Sequence, residues 1–233
     1  MFNLKHAVFI AVAAAASLYQ VSAGASITLA GTRFVYSASE DSLPVTVYNR
    51  DKAPYLVQSW VSEYNPDKDH PTHIPFIVTP PLFKMEPGDT DTINIVKMDS
   101  DNLPQDRESV FYFNVKAIPG KAKDGKSSLM ISVDSSMKLF YRPQKLEGDN
   151  ADSAWKNLEF QRKDNQLVAK NPTPYFITIH TLNSDGKVNP SIKNVMIAPF
   201  GQMTLPISIK PNSITWTALS DQGVVTTEKT VPL

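Results

Sequence analysis

Short segments in which apolar and polar residues alternate constrain the fold of this chain more than any other feature. From residue 26 onward the alternation has period two, and the apolar positions are rich in β-branched and aromatic residues. No segment sustains the 3.6-residue period of an amphipathic helix. The chain also carries 18 prolines against 9 glycines, and proline is costly inside helices. The sequence therefore predicts an all-β protein.

The candidate strands form two groups, separated by a polar stretch without strand character at residues 144–153. The first group comprises residues 42–48, 55–61, 91–98, 110–118 and 129–141. The second comprises residues 158–162, 166–170, 175–182, 195–198, 203–209, 214–219 and 224–231. Short strands separated by turns over roughly 100 residues are typical of an immunoglobulin-like sandwich. We therefore predict two β-sandwich domains in series, residues 26–145 and 146–233.

Residues 1–25 have the pattern of a cleavable secretory leader. Lys5 precedes an apolar run from residue 7 to residue 18, and Ala23-Gly24-Ala25 offers a small-x-small cleavage site. The run is shorter than the ~20 residues that a membrane-spanning helix needs. We expect a signal peptide of residues 1–25 and an exported, soluble mature protein, with a buried core helix as the alternative.

The charge balance, the lack of cysteine and the lack of catalytic motifs exclude several classes of function. With 23 basic and 23 acidic residues, the chain lacks the basic balance of a nucleic-acid binder. It has no cysteine, hence no disulfide, thiolate nucleophile or cysteine-based zinc site. No nucleophile elbow, phosphate loop or HExxH motif occurs, and His70 and His73 lie in a proline-rich polar loop. We therefore expect a binding protein that is not an enzyme and has no cofactor and no metal.

The predicted strand at residues 129–141 is about twice the usual strand length. Its odd positions begin with Leu129, Ile131 and Val133. Such an apolar row on an exposed strand favours aggregation unless another chain pairs with it. The alternative is a long core strand with nothing exposed, and the pattern alone leaves both interpretations open.

Two cations, Arg33 and Lys138, each stand among apolar residues in a segment of period two. A charge in such a segment needs either solvent or a partner. One interpretation is that both protect edge strands from unwanted pairing. The other is that both converge on one carboxylate through charge-assisted hydrogen bonds. Their spacing does not choose between the two.

Four stretches carry a resemblance to a known family. They are Thr-Arg-Phe-Val-Tyr at 32–36, Leu-Pro-Gln-Asp-Arg-Glu-Ser-Val-Phe-Tyr-Phe-Asn at 103–114, Lys-Leu-Phe-Tyr-Arg-Pro at 138–143 and Asn-Pro-Thr-Pro-Tyr-Phe at 171–176. In this order they closely resemble the PapD-like periplasmic chaperones of the bacterial chaperone–usher pathway. The match runs over essentially the whole chain after the leader.

The resemblance implies a boomerang of two immunoglobulin-like domains that chaperones pilus (fimbrial) subunits and passes them to an outer-membrane usher. It implies that Leu129, Ile131 and Val133 lie on the strand donated to an incomplete subunit. It further implies that Arg33 and Lys138 bind the subunit's C-terminal carboxylate. An interdomain salt-bridge network is implied for Glu108, Arg142 and Asp221, and a self-capping homodimer of the free protein is left open.

Some features depart from the family or compete with it. Many members carry a cysteine pair in the second domain, which here must hold by packing alone. The donor residues are odd-numbered and Lys138 is even-numbered, so a bulge or strong twist is expected between Val133 and Lys138. The alternatives are a pilus subunit or adhesin, disfavoured because the last residues lack a penultimate aromatic, and a secreted hydrolase on a β-sandwich.

Overall fold

The computed structural model of the protein describes residues 27–64, 73–98, 103–120, 130–148, 150–163, 166–207 and 211–233. The predicted leader, His70 and Leu129 lie outside these ranges. Within them the chain forms sixteen strands in four sheets. The protein is all-β, as predicted.

The first nine strands build the N-terminal sandwich. They are β1 (Ile27–Leu29), β2 (Arg33–Ser37), β3 (Leu43–Asn49), β4 (Tyr55–Glu63), β5 (Phe76–Thr79), β6 (Leu82–Met85), β7 (Thr90–Lys97), β8 (Ser109–Pro119) and β9 (Val133–Arg142). One sheet has the order β1-β3-β7-β5 and the other β2-β9-β8-β4-β6. Only β2 and β9 run parallel among these paired strands, and β2 lies beside the second half of β9.

The remaining strands build the C-terminal sandwich. They are β10 (Glu159–Lys163), β11 (Gln166–Lys170), β12 (Ile177–Ser184), β13 (Lys187–Ile197), β14 (Gln202–Leu205), β15 (Ser213–Ala218) and β16 (Lys229–Pro232). Their sheets have the orders β10-β11-β14 and β13-β12-β15-β16. The polar stretch before them forms 3-10 turns at Gln144–Leu146 and Ala154–Asn157 and one helical turn, α1 (Asn150–Ser153).

Each sandwich has its own apolar core. In the N-terminal core, inward-facing residues of β3, β7 and the second half of β9 are almost completely buried; they include Val47, Ile93 and Leu139. In the C-terminal core Trp216 packs against Trp155 at 6.4 Å and against Phe160 at 4.8 Å between ring centroids. Aromatic packing of this kind buries a large area in a domain without disulfides.

The Asn-Pro-Thr-Pro-Tyr stretch forms a buried turn between β11 and β12. Asn171 is completely buried and donates hydrogen bonds to the carbonyls of Tyr175 and Ala198, at 2.7 and 3.0 Å. Its own carbonyl accepts from the amide and hydroxyl of Thr173. Because buried main-chain carbonyls need partners, this side chain fixes the position at which β12 begins beside the domain interface.

Candidate functional site

The parallel pairing of β2 and β9 brings the two predicted cations together. Arg33 lies directly opposite Lys138 in this register. Both line one cavity of about 400 Å³ between the two sandwiches, together with Tyr112, Thr178, Asn194 and Leu219. We call this cavity the cation cleft.

Arg33 is held by main-chain groups of the C-terminal sandwich. Its Nη1 donates to the carbonyls of Leu219 and Ser220, at 3.0 and 2.9 Å, and its Nη2 donates to the Thr178 hydroxyl at 3.3 Å. The guanidinium also lies 4.8 Å from the centroid of the Phe140 ring. A guanidinium has five N–H donors, so the contacts of the described residues leave the Nε donor and one Nη2 donor for a ligand.

Lys138 has no acidic partner among the ion pairs of the described residues, and neither has Arg33. The ammonium of Lys138 lies 5.8 Å from the centroid of the Tyr64 ring. Burial, and then the charge of Arg33, lower the pKa of Lys138. Burial likewise lowers the pKa of Arg33, against the opposing charges of Asp221 and Glu108. Two partly desolvated cations side by side favour a bound anion.

The first half of β9 has a free hydrogen-bonding edge. It pairs with β8 from Val133 to Tyr141, whereas β2 covers its other side only from Lys138 to Arg142. Residues 133–137 therefore have a partner on one side alone, as far as the described residues extend. At and just before the start of β9 the apolar side chains are exposed, to 65% at Ile131 and 47% at Val133, which contradicts the core-strand alternative at these two positions.

The expected bulge between Val133 and Lys138 is wrong. The register of β8 and β9 continues without a shift from Ala117 opposite Val133 to Tyr112 opposite Lys138. Strict alternation therefore puts Val133 on the inner, core-facing side of the sheet and Lys138 on the side of the domain interface. One strand thus presents its apolar row and its cation to different surfaces, without a bulge in its pairing with β8.

Glu108, Arg142 and Asp221 form the network that joins the two sandwiches. Arg142 Nε donates to Glu108 at 2.8 Å, and both of its Nη groups donate to the Asp221 carboxylate, at 2.7 and 3.0 Å. The second oxygen of Glu108 accepts from the amide of Phe176 at 2.8 Å. Arg142 and Glu108 are buried, whereas the side chain of Asp221 is 31% exposed.

The electrostatics of this network follow from burial and pairing. Burial alone lowers the pKa of Arg142, but the hydrogen bonds and charges of Asp221 and Glu108 outweigh it and raise this pKa. Burial raises the pKa of Glu108, in opposition to the charge of Arg142 and the Phe176 amide. Each charge in the network is therefore stable only while its partners remain in place.

Several residues of the cation cleft are not identified from the sequence. Thr178 falls inside a predicted strand, but nothing in its pattern indicates that it contacts Arg33. Asn194 is held by His180, whose Nδ1 lies 2.9 Å from its side-chain oxygen, and it has a positive φ of 56°. Phe140 has the same parity as Lys138 in β9 and therefore lies on the same face. This shared parity is the one sequence signal that Phe140 faces the domain interface.

The described residues hold no group of three or more His, Cys, Asp or Glu side chains that could bind a metal ion. The predicted loop of His70 and His73 is largely outside them. No helix among the described residues is long and apolar enough to cross a membrane.

Comparison with known families gives two matches that together span most of the chain. Residues 26–147 match the description "Pili and flagellar-assembly chaperone, PapD N-terminal domain". Residues 153–230 match "Pili assembly chaperone PapD, C-terminal domain". The chain is also 38% identical over 212 residues to the chaperone protein FimC of Escherichia coli (strain K12), which covers 89% of this chain and 85% of FimC.

Solved structures show the same fold over nearly the full length. The Salmonella enterica SafB chaperone, in complex with the SafA pilin, matches with a TM-score of 0.77 and 30% identity, covering 89% of this chain and 96% of the other. The chaperone DraB of Escherichia coli matches with a TM-score of 0.73 and 34% identity, with the same coverages. Two immunoglobulin-like sandwiches, the shared motifs and these matches lead to one conclusion: the chain belongs to the PapD family of pilus-assembly chaperones.

Proposed function

We propose that this protein is a periplasmic chaperone that captures pilus subunits by donating the free edge of β9 and binding their C-terminal carboxylate in the cation cleft. The observation that carries the proposal is the position of Arg33 and Lys138, two cations without an acidic partner among the described residues, directly beside that edge. The related SafB protein is a chaperone solved in complex with the SafA pilin, which supports the same partner class.

Arg33 and Lys138 together form what we call the clamp, which binds the subunit's carboxylate through opposite charge in a partly desolvated cleft. Arg33 keeps two N–H donors and Lys138 its ammonium, which suits a planar carboxylate with two acceptor oxygens. Charge-assisted hydrogen bonds of this kind contribute about 1.5–3 kcal/mol each. The Thr178 hydroxyl and the carbonyls of the C-terminal sandwich hold Arg33 in place before the carboxylate arrives.

The geometry of the edge dictates the direction of the bound strand. A strand that pairs with residues 133–137 on the open side lies in line with β2, beyond its first residue Arg33. Its carboxylate reaches Arg33 and Lys138 only if its C-terminus lies at the Lys138 end of the edge. The subunit strand must therefore run parallel to β9, in the direction of β2.

The apolar side chains of the edge supply the remaining affinity. Ile131 and Val133 project from this region in an exposed state, and Leu129 continues the same odd-numbered series in the sequence. We propose that all three fill the groove of a subunit that lacks its last strand. Burying each contributes about 1.5–3 kcal/mol, and alternation sets the register, since a slip by one residue turns the set outward.

The domain assignment supports the location of the cleft. We propose domains at residues 26–145 and 146–233, in support of which β1–β9 and β10–β16 pair only within their own sandwich among the described strands. In this scheme Glu108, Arg142 and Asp221 fix the angle between the domains. The clamp depends on that angle, because the C-terminal domain supplies the partners of Arg33.

Delivery to an outer-membrane usher requires a second surface that stays accessible while β9 is occupied. The opposite edge of the same sheet meets this need, since β6 is the last strand in the order β2-β9-β8-β4-β6. Leu56 on β4 and Leu82 on β6 are exposed there, to 39% and 53%. We propose this apolar patch as the contact with the usher.

The remaining parts of the proposal concern location, chemistry and self-association. A cleavable leader at residues 1–25 directs the chain to the periplasm, where related chaperones act. Capture by strand pairing and a carboxylate clamp needs no catalytic group and no cofactor, and we propose that the protein has no enzymatic activity. Without a subunit, the exposed edge is free to pair with a second copy, which would give a self-capping homodimer.

The test is affinity capture from the periplasm, with mass spectrometry of the co-purified proteins. We expect pilus subunits with the normal protein and a loss of at least about tenfold for Arg33→Ala or Lys138→Ala. Lys170→Ala, which breaks an exposed ion pair to Glu159 and removes no residue of the cleft lining, serves as the control. Normal recovery of subunits by both clamp variants would falsify the proposal, provided that the variants have the melting temperature of the parent.

A further inference from the structure

The loop that follows β15 supports the cation cleft from the side of the C-terminal sandwich. We call residues 219–223 the support loop. The carbonyls of its first two residues accept hydrogen bonds from Nη1 of Arg33, at 3.0 and 2.9 Å. The carboxylate of its Asp221 accepts from both Nη groups of Arg142, at 2.7 and 3.0 Å. One short loop therefore holds a cation of the proposed clamp and also the arginine of the interdomain network.

Hydrogen bonds of the main chain connect the residues of the support loop with one another. The amide of Gly223 donates to the carbonyl of Ser220 at 2.9 Å, and this is the same carbonyl that accepts from Arg33. At the base of the loop, the amide of Leu219 donates to the carbonyl of Thr178 on β12, at 3.0 Å. A displacement of Gly223 is therefore transmitted to a carbonyl that holds Arg33.

Gly223 lies against the residue that precedes β2. Its φ is 77°, in the left-handed region that residues other than glycine rarely adopt. A Cβ atom at this position would lie 2.5 Å from Thr32 Oγ1, whereas the next nearest atoms, Cδ and Cγ of Arg33, would be at an ordinary contact distance of 3.9 Å. The loop and β2 can therefore approach each other this closely only because residue 223 has no side chain.

We infer that Gly223 is a positioning residue of the clamp: because it has no side chain, the support loop reaches the start of β2 and holds the Arg33 guanidinium in the cation cleft. This inference rests on the proposed clamp and deepens it. A guanidinium that is held before the carboxylate arrives loses less side-chain entropy on binding. The C-terminal sandwich thereby contributes to the affinity of a clamp whose two charges both belong to the N-terminal sandwich.

Gly223→Ala tests the inference without a change to either cation. The new Cβ meets Thr32 Oγ1, and since threonine is β-branched and stiff at χ1, we expect the loop to move and Arg33 to lose its carbonyl partners. The readout compares two peptides of about ten alternating valine and threonine residues, one with a free C-terminal carboxylate and one with a C-terminal amide. Both are titrated into the full protein by calorimetry.

The parent protein should prefer the acid peptide, because the amide peptide pairs with the free edge of β9 but brings no charge to the clamp. In Gly223→Ala we expect this preference to fall at least about fivefold, while the affinity for the amide peptide stays within about twofold. A general loss of structure would weaken both peptides alike, so the ratio of the two affinities reports on the clamp.

Two further variants separate the contact with Thr32 from backbone strain. Gly186 lies in a turn of the same sandwich with a φ of 75°, and a Cβ there has no atom within 4 Å, so Gly186→Ala introduces similar strain and should keep the preference. Thr32→Ala removes the obstructing oxygen. Gly223→Ala combined with Thr32→Ala should therefore recover the preference to within about threefold of Thr32→Ala alone.

The outcomes separate this inference from the proposed function. If the parent does not prefer the acid peptide, the clamp itself fails and the inference fails with it. If the parent prefers the acid and Gly223→Ala keeps that preference, the role of Gly223 is overturned and the clamp stands. An equal loss of preference in Gly186→Ala, or no recovery with Thr32→Ala, shows that the contact with Thr32 is not the cause and overturns the inference as well.

Discussion

Arg33 and Lys138 repel each other across the parallel strands, and the fold tolerates this because other groups hold both side chains. Carbonyl oxygens and a hydroxyl hold the guanidinium, and the Tyr64 ring lies beside the ammonium. In the absence of a ligand the charged form of Lys138 is destabilised, since burial and the charge of Arg33 both lower its pKa. A bound carboxylate reverses the balance and favours the charged form.

The lowered pKa of Lys138 predicts how binding depends on pH. A carboxylate binds the protonated lysine, so its affinity should fall as the pH rises through the lowered pKa of the free protein, below the range of an ordinary lysine. Binding in that range should also take up protons. In Lys138→Arg the charge persists, and the affinity should stay level over the same interval.

Calorimetric titration with a strand peptide that ends in a free carboxylate, between about pH 7 and about pH 10, measures both effects. Buffers of different ionisation enthalpy reveal the proton uptake. If the parent protein and Lys138→Arg lose affinity in parallel, Lys138 is not the titrating group and the assignment of its role is wrong.

At the scale of the element, β9 serves two purposes along its length. From Leu139 to Arg142 it is buried between β2 and β8, whereas from Val133 to Met137 one edge is open among the described residues. The second half anchors the first, because both belong to one uninterrupted ladder with β8. The strand is thereby extended and in register without a partner, which would lower the entropy lost in the proposed capture.

This division predicts that the same substitution affects capture at one position and stability at another. Ile131→Asp, at a 65% exposed side chain, should change the melting temperature by no more than about 1 °C and yet reduce subunit capture at least tenfold, roughly the loss of one buried side chain. Leu139→Asp, at a completely buried position, should unfold the domain. Thermal melts and periplasmic capture measure the two quantities.

Ser132→Asp provides the matched control, since this residue is exposed and adjacent but even-numbered, unlike the predicted donor residues. It should leave capture nearly unchanged. A large loss of thermal stability in Ile131→Asp, or equal capture by the parent and this variant, would contradict the role of Ile131 in the donated strand.

The sequence predicts most strands and fails where the local pattern conflicts with the position in the sheet. β11 agrees with the prediction in full, because its alternation is regular. β5 and β6 are missed, since each has four residues and only Pro80-Pro81 separates them. The first half of β13 is missed because it contains Lys187, Asn189 and Pro190; an edge strand with a single neighbour tolerates them.

The candidate site follows from the sequence only in part. The family motifs point to Arg33 and Lys138, but their contact depends on a parallel pairing between strands more than 100 residues apart, which no local pattern encodes. The expected bulge is wrong because the sequence does not reveal that one strand serves two surfaces.

At the scale of the whole molecule, the geometry of the cleft depends on a few contacts between the sandwiches. Arg142 at the end of β9 joins Glu108 of the same sandwich to Asp221 of the other. Phe140 contacts Phe176 across the interface, with 5.8 Å between the ring centroids. Both contacts follow directly after Lys138 along β9, so a change in domain angle would also move the proposed clamp.

The network predicts an order of stability loss. Arg142→Ala leaves Glu108 buried and unpaired, at a cost of about 3–5 kcal/mol. Asp221→Ala removes a partly exposed carboxylate while Glu108 still pairs with Arg142, so we expect a loss of about 1 kcal/mol. Urea denaturation followed by tryptophan fluorescence measures both, because Trp60 and Trp216 report on different sandwiches.

Lys170→Ala, which removes an exposed ion pair, should be close to neutral in the same experiment. A smaller loss for Arg142→Ala than for Asp221→Ala would show that the buried charge of Glu108 does not depend on this arginine, against the arrangement described above.

The continuous pairing of β9 with β8 also sets a fixed distance that a partner must match. Val133 and Lys138 are five residues apart on one strand without a bulge, which fixes about 17 Å between the start of the free edge and the proposed clamp. A subunit must match this length, so that its groove begins at the same distance from the last atom of its chain. A subunit lengthened by two residues at its C-terminus would keep every side chain on the correct face and still be rejected, because its end would overshoot the cations.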